Sequence, residues 1–313
     1  MDRLNAMRVF AQVIEAGSFA GAARKFNLPP PVVTRLVADL EEHLGTRLIN
    51  RTTRRLSLTE AGENYLDRVR LILADVDDAE AQAGAATSAP RGHIRVLTPP
   101  AFATHQLAMR LPTFRRQHPH VSIEIVATGP VSTMDETFDM TIIASTEPLS
   151  GDFVARPLAK SEVVVCASPE YLHRMGRPKH PSEMIQHDVV IPPMVRELNF
   201  HSVGSPGSAA ATETIRLGAF RPVLTTTHID TMYAAALAGL GIAGLPSFVV
   251  AQALRNKSLE RVLPEWHMLS STIYAAMPTR KHVPARTRVF LDFLVENFGG
   301  QGSTVDPWSH ASG

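Results

Sequence analysis

The sequence predicts a multi-domain α/β chain: an N-terminal winged helix-turn-helix, a long linker helix, and a two-lobed α/β domain. Three observations predict it. Residues 18–58 hold two short amphipathic helices followed by a basic hairpin. Residues 59–86 hold an apolar repeat with alternating steps of four and three. From His93 onward, strand-like and helix-like segments alternate. A length of 313 residues suits two or three domains, and a hydrophobic content of 44% is that of an ordinary globular protein.

Residues 4–16 form the first helix, with Ala6, Phe10 and Val13 on one face. Ser18 stands where an N-cap belongs, and Phe19, Ala22, Ala23 and Phe26 share the inner face of the second helix. Val33, Leu36, Val37, Leu40 and Leu44 form one stripe on the third, and Gly45 stops it. Helices this short must pack on one another, which is helix-turn-helix geometry. The far face of the third helix presents Pro30, Pro31, Thr34, Arg35 and Ala38. Such a face fits a major groove, where Pro and Thr carbons meet thymine methyls and Arg reaches guanine or phosphate. Arg47, Arg51, Arg54 and Arg55 follow in the hairpin with no acid between Thr46 and Leu58, which suits a phosphate backbone. The competing description is an ordinary helical corner with a solvated basic loop.

Net charge is +1, but its distribution is uneven. Arg3, Arg8, Arg24, Lys25, Arg35 and the hairpin arginines outnumber Asp2, Glu15, Asp39, Glu41 and Glu42. The next segment reverses the sign with Glu60, Glu63, Asp67, Asp75, Asp77, Asp78 and Glu80. A basic end on a neutral chain suggests a nucleic-acid-binding module.

Thr59 caps a helix predicted to run to about Ala86. Tyr65, Val69, Ile72, Val76, Ala79, Ala83 and Ala86 form its heptad seam. The seam either joins a second chain or packs on its own domain. Gly84–Gly92 reads as a hinge. Strands are expected over Ile94–Thr98, Val121–Thr128, Met140–Ala144 and Val163–Ala167, with helices over Phe102–Gln117 and Met134–Phe138 and from Pro169. In the second lobe Val203–Ala211 reads as a flexible hairpin tip. His228–Leu240 reads as a helix, Ile242–Leu245 as a strand, and Ser247 as the cap of a helix through Leu254. Ser271–Met277 and Pro284–Asn297 are the last strand and helix.

The first 65 residues resemble the LysR-type transcriptional regulators densely. The resemblance rests on Phe10, Glu15-Ala16-Gly17-Ser18-Phe19, Ala22-Ala23, Leu28, Val33, Arg35, Leu40-Glu41, Leu44-Gly45, Leu48, Asn50-Arg51, Thr52–Arg54 and Leu58-Thr59-Glu60-Ala61-Gly62. The wing is most similar to the subgroup reading NRTTRRLSLTEAG, and a looser likeness extends over about 300 residues. Pro29 departs from the family's Ser or Thr at the cap of the recognition helix, and a Ser near Pro31 is also absent. Pro30 and Pro31 partly offset the lost cap, because their φ suits a helix start.

The resemblance implies a DNA-binding domain over 1–58, a dimerising linker over 59–92 and an effector-binding domain over 93–298. That domain would be built like a periplasmic binding protein. Lobe I would take about 93–165 and 265–298, and lobe II about 166–264; the composition of 299–313 suggests disorder. DNA contacts are expected from Ser18, Pro30, Pro31, Thr34, Arg35, Ala38, Arg51, Thr53, Arg54 and Arg55. The expected partners are double-stranded promoter DNA carrying an imperfect inverted repeat, a small-molecule effector and further copies of the chain. Those copies would form a dimer through the linker and a tetramer from two dimers. RNA polymerase is a further candidate partner.

Ligands of α/β sheets sit at the carboxyl ends of strands. Thr98, Pro100, Phe102, Thr128, Ser145, Phe200, His201, Thr227 and His228 occupy such places and would suit a small organic or aromatic acid; Thr98 and Thr227 could equally serve as caps. No catalytic or metal constellation emerges, and no cofactor is expected. Cys166, the single cysteine, lies in an apolar strand as a core residue would, and allows no internal disulfide. No signal peptide and no membrane-spanning run is read, which points to the cytoplasm and away from a membrane. A solute-binding protein without a regulatory role is the alternative; it leaves the first 60 residues unexplained.

Overall fold

A computed structural model describes residues 2–51, 56–83, 89–202, 213–278, 283–299 and 306–309. The chain divides into two compact units, one N-terminal and ending at His93, the other beginning at Ile94 and taking in nearly all that follows.

The N-terminal unit holds α1 (Arg3–Glu15), α2 (Phe19–Phe26), α3 (Pro30–Leu44), the antiparallel pair β1 (Ile49–Arg51) and β2 (Leu56–Leu58), and α4 (Glu60–Ala83). Asp2 caps α1 by accepting from the Asn5 N–H, and Ser18 caps α2 by accepting from Gly21. Asn27, at φ 54°, closes α2 in the left-handed conformation. No side chain caps α3; Pro29 precedes it and prolines occupy its first turn. Gly45, at φ 67°, ends it. Phe10, Val13, Ala22, Val33, Val37 and Leu40 are buried in one core, as the predicted inner stripes require, except that Leu44 at the end of α3 is exposed.

Tyr65 and Val69 join that same core, Tyr65 stacking at a tilt on Phe10 with ring centres 5.8 Å apart. The first two seam positions therefore cover their own unit. Ile72, in contrast, is 44% exposed. The described helix ends at Ala83; Ala86 lies outside the described residues, as does the start of the hinge.

The C-terminal unit is built on one sheet ordered β10-β7-β11-β6-β14-β5-β3-β4, with β12 on β6. Its strands are β3 (Gly92–Thr98), β4 (Val121–Ala127), β5 (Met140–Ser145), β6 (Phe153–Ala167), β7 (Asp188–Ile191), β10 (Arg221–Thr225), β11 (Ile242–Pro246), β12 (Glu260–Arg261) and β14 (Ser270–Pro278). β6 is much longer than the predicted Val163–Ala167. Its first part pairs with β14 and its last part with β11, so one strand serves both halves of the sheet. A second, three-stranded sheet holds β8 (Leu198–Ser202), β9 (Thr214–Leu217) and β13 (Trp266–His267).

After β3 a continuous helical segment passes through α5 (Pro100–Phe102), a π-helical turn (Ala103–Leu107) and α6 (Ala108–Gln117). The other helices are α7 (Pro169–Met175), a 3-10 helix (Pro181–Gln186), α8 (Ile229–Leu237), α9 (Ser247–Arg255) and α10 (Ala285–Phe298).

Three expectations are corrected. Met134–Phe138 is not helical: the Asp135 carboxylate accepts from both the N–H and the hydroxyl of Thr137, at 2.9 and 2.6 Å, and this local turn competes with a helix. Ser247 does not cap α9, which starts after Pro246 with no side-chain cap; its hydroxyl meets that of Ser161 at 2.9 Å in the interior. The tail, expected to be disordered, is docked over residues 306–309. Trp308 is buried on Phe248 and Phe298. Its indole N–H donates to Gln106 at 3.0 Å, and the Asp306 carboxylate accepts from the Glu162 N–H at 2.8 Å. A large apolar ring with one polar handle outweighs the small polar residues around it. The Val203–Ala211 hairpin tip lies outside the described residues.

Candidate functional site

In the N-terminal unit the sequence places one face of α3 in the core and leaves the other outward. Pro30 and Pro31 are exposed, Thr34 and Ala38 are half-buried, and the Arg35 side chain is 84% exposed. The Thr34 hydroxyl donates back to the Pro30 carbonyl at 3.1 Å, which tucks it against the helix. Arg35 lies 3.9 Å from Asp39, one turn on, a loose surface pair that a phosphate or base can displace. Ser18 is half-buried, and its hydroxyl is already engaged by Gly21. Arg51 ends β1, while Thr53, Arg54 and Arg55 lie outside the described residues.

Two residues that fix the hairpin were not singled out as site residues. Glu41 is buried at the end of α3, and its Oε1 accepts from the N–H groups of Leu48 and Ile49 at 2.8 and 3.0 Å. Thr59 donates to the Arg47 carbonyl at 2.7 Å and accepts from Gly62. A carboxylate seven and eight residues before its backbone partners leaves no periodic trace, so only its oddity beside an apolar stripe could have marked Glu41.

In the C-terminal unit, Thr98, Pro100 and Thr128 come together. The Thr128 N–H donates to the Thr98 carbonyl at 3.2 Å, and Gly129 stands beside Pro100. Thr98 itself is fully buried. Thr227 and His228 are exposed at the start of α8, where the His228 ring caps the helix by accepting from Thr231. His105, on the π-helical turn, reaches Asp230 in the first turn of α8 at 2.8 Å and packs edge-on against Tyr233. That pair ties the π-helical turn to the first turn of α8, and no spacing in the sequence marks it.

Other expected ligand residues are used elsewhere. Phe102 is buried between Phe248 and Phe298, with ring centres 5.6 and 5.3 Å away, and cannot also stack on a ligand at a surface cleft. The Ser145 hydroxyl closes a turn onto Glu147. Phe200 and His201 do not follow a strand but lie within β8. They line a cavity of about 410 Å³ between the small sheet and strands β6, β7 and β11.

Among the described residues no cluster of His, Cys, Asp and Glu could hold a metal ion, and no helix is long and apolar enough to cross a membrane. Cys166 is fully buried, and burial pushes its thiol pKa up to about 12, which leaves it no nucleophilic character near neutral pH.

Two family models match the chain. The bacterial regulatory helix-turn-helix protein of the lysR family matches residues 4–63, and the LysR substrate binding domain matches residues 87–299. The regulator CrgA of Neisseria meningitidis is 34% identical over 300 residues, covering 94% of this chain and 96% of its own length. A transcriptional repressor of Pseudomonas aeruginosa is 33% identical over 305 residues, with 95% and 93% covered. The solved structure of CrgA aligns at a TM-score of 0.57 with 31% identity, over 93% of this chain and 97% of that one. The full-length Vibrio cholerae virulence activator AphB aligns at 0.55 with 25% identity, over 94% and 98%.

Proposed function

The chain belongs to the LysR family of bacterial transcriptional regulators, and from that premise we propose that α3 docks in a DNA major groove while the hairpin after it rests on the phosphates. The observation that carries this reading is the division of α3. Val33, Val37 and Leu40 are buried, while Pro30, Pro31 and Arg35 are exposed on the opposite side. Ser18 assists from the start of α2, and Arg51, Thr53, Arg54 and Arg55 supply the backbone contacts. Such contacts fix orientation and carry the salt dependence; sequence is read at the base edges.

The protein acts as a dimer joined through the outer part of α4, and two dimers assemble as a tetramer. The exposed Ile72 supports the first statement. A paired set of recognition helices reads an imperfect inverted repeat in a promoter, with half-site spacing as the geometric check. The compartment is the cytoplasm, and bound protein acts on transcription through RNA polymerase.

The C-terminal unit senses a small organic or aromatic acid. The rim formed by Pro100 and Thr128, backed by the buried Thr98, and the start of α8 with Thr227 and His228 serve this task. The N–H groups and dipole of a helix start favour an anion, and the His105–Asp230 link supplies a contact that ligand can tighten or loosen. Ligand shifts the balance between subunit arrangements and so alters the spacing of the recognition helices. A solute-binding protein without a regulatory role would have no use for residues 4–63.

The test is a gel-shift titration with the chain's own upstream DNA. Preference over random duplex at moderate salt is expected, and equal affinity for the two would defeat the reading.

A further inference from the structure

We propose that the cavity between the small sheet and the main sheet is a second ligand site, shaped for a small uncharged apolar molecule. It does not depend on the reading of the chain as a DNA-binding regulator.

The cavity of about 410 Å³ lies within the size range of small-molecule pockets, roughly 300–1,000 Å³. At the ~30 Å³ share of a liquid water it takes about a dozen non-hydrogen atoms. Its floor is made by Val189, Ile191, Phe200 and Ile242, all buried. Filling such a space removes apolar surface from water on both partners, at about 25 cal/mol per Å². Three methionines, Met184, Met232 and Met268, also line it. Their unbranched thioethers adapt to a guest's shape at small cost.

Charge decides what the guest is. Among the described residues the polar lining is Glu197 and Asn199, both exposed, and His201, with no Lys or Arg. His201 already has its Nδ1 engaged by Thr214 Oγ1 at 3.0 Å, so one ring nitrogen remains for a guest. A carboxylate entering here would leave water, find no cation and meet the Glu197 carboxylate. An unpaired buried ion is strongly disfavoured. A neutral ring carrying one hydroxyl or amide loses little, because Asn199 and Glu197 can take up its hydrogen bond. The cavity and the Thr98 rim thus differ in the chemistry they select.

The test uses 2-naphthol and its acid analogue 2-naphthoate as probes, titrated by fluorescence into the full-length chain at neutral pH. The neutral probe should bind at least about tenfold more tightly, a gap of about 1.4 kcal/mol. Val195→Trp and Leu269→Trp place an indole at the cavity and should abolish binding. Leu269 is 54% exposed, so its replacement is compatible with the fold, which a thermal melt verifies. Ile185→Trp, on an exposed position outside the lining, should leave the affinity unchanged. Equal affinity for the acid, absence of 2-naphthol binding, or binding that survives both cavity variants would overturn the proposal. None of these outcomes touches the gel-shift result.

Discussion

Gly62 illustrates how much one missing methyl can decide. A Cβ there would lie 2.0 Å from the Leu48 carbonyl oxygen, a backbone atom that cannot swing aside. Gly62→Ala should therefore destabilise the N-terminal unit by about 1–3 kcal/mol, the range for overpacking; urea denaturation of the purified chain measures it. Arg35→Ala tests the recognition face. A loss of about 1–3 kcal/mol on cognate DNA alone would mark a base contact, which paired titrations on cognate and random duplexes distinguish from a phosphate contact. Arg54→Ala should instead weaken all sequences alike. At this scale the sequence was legible at most places where local rules act, with Ser247 as an exception. Ser18 as a cap, Gly45 as a stop and the α3 stripe all follow from spacing within a few residues. Glu41, Gly62 and the His105–Asp230 pair follow from contacts made only after folding, and periodicity is silent about them.

Elements were legible in kind more than in extent. α4 was readable as one long helix, but its seam serves two masters: Tyr65 and Val69 are spent on the N-terminal core, and only the positions from Ile72 onward remain. The exposed Ile72 sits on a helix of 24 residues, about 36 Å long. Ile72→Glu should split the dimer, seen as a halved mass in sedimentation, with little change in the melting of the N-terminal unit. An unchanged mass would rule out that seam. β6 was underestimated because Phe153–Lys160 carries Arg156, Pro157 and Lys160, which weaken a strand signal. Its register on β14 shifts between Ile273 and Tyr274, which accommodates the interruption. The docked Asp306–Ser309 segment was hidden by composition, since averages over a tail dilute a single indole. Trp308→Ala should lower the stability of the C-terminal unit by about 2 kcal/mol. That is less than the ~3–5 kcal/mol for a Trp in a continuous core, because a tail can detach where a core must keep its hole.

For the whole molecule, alternation of strand and helix was enough to read an α/β architecture, and a charge reversal was enough to separate a basic head from an acidic stalk. The ligand residues were read less well, since strand ends locate a rim but not which rings the interior has already claimed; Phe102 is the instance. Cys166 offers a global test. The unfolded thiol ionises near 9.0, whereas burial pushes the folded one up to about 12. As pH rises past 9.0 the unfolded chain gains an ionisation that the folded chain lacks, so stability falls in that direction. Iodoacetamide should leave the native chain unmodified at pH 8 and label it fully in denaturant, and labelling under native conditions would show that β6 opens by itself.

The positions of the two tryptophans carry a practical dividend. Trp266 packs edge-on against His180 beside the small sheet, and Trp308 packs against Phe298 at the far end of the chain. Each is a natural lamp in a different room. With Trp266→Phe the remaining emission watches the C-terminal clasp, and with Trp308→Phe it watches the small sheet, of which Trp266 is part. A spectrometer can thus report which part of the sensor responds to a compound before any dye is attached or any promoter is known.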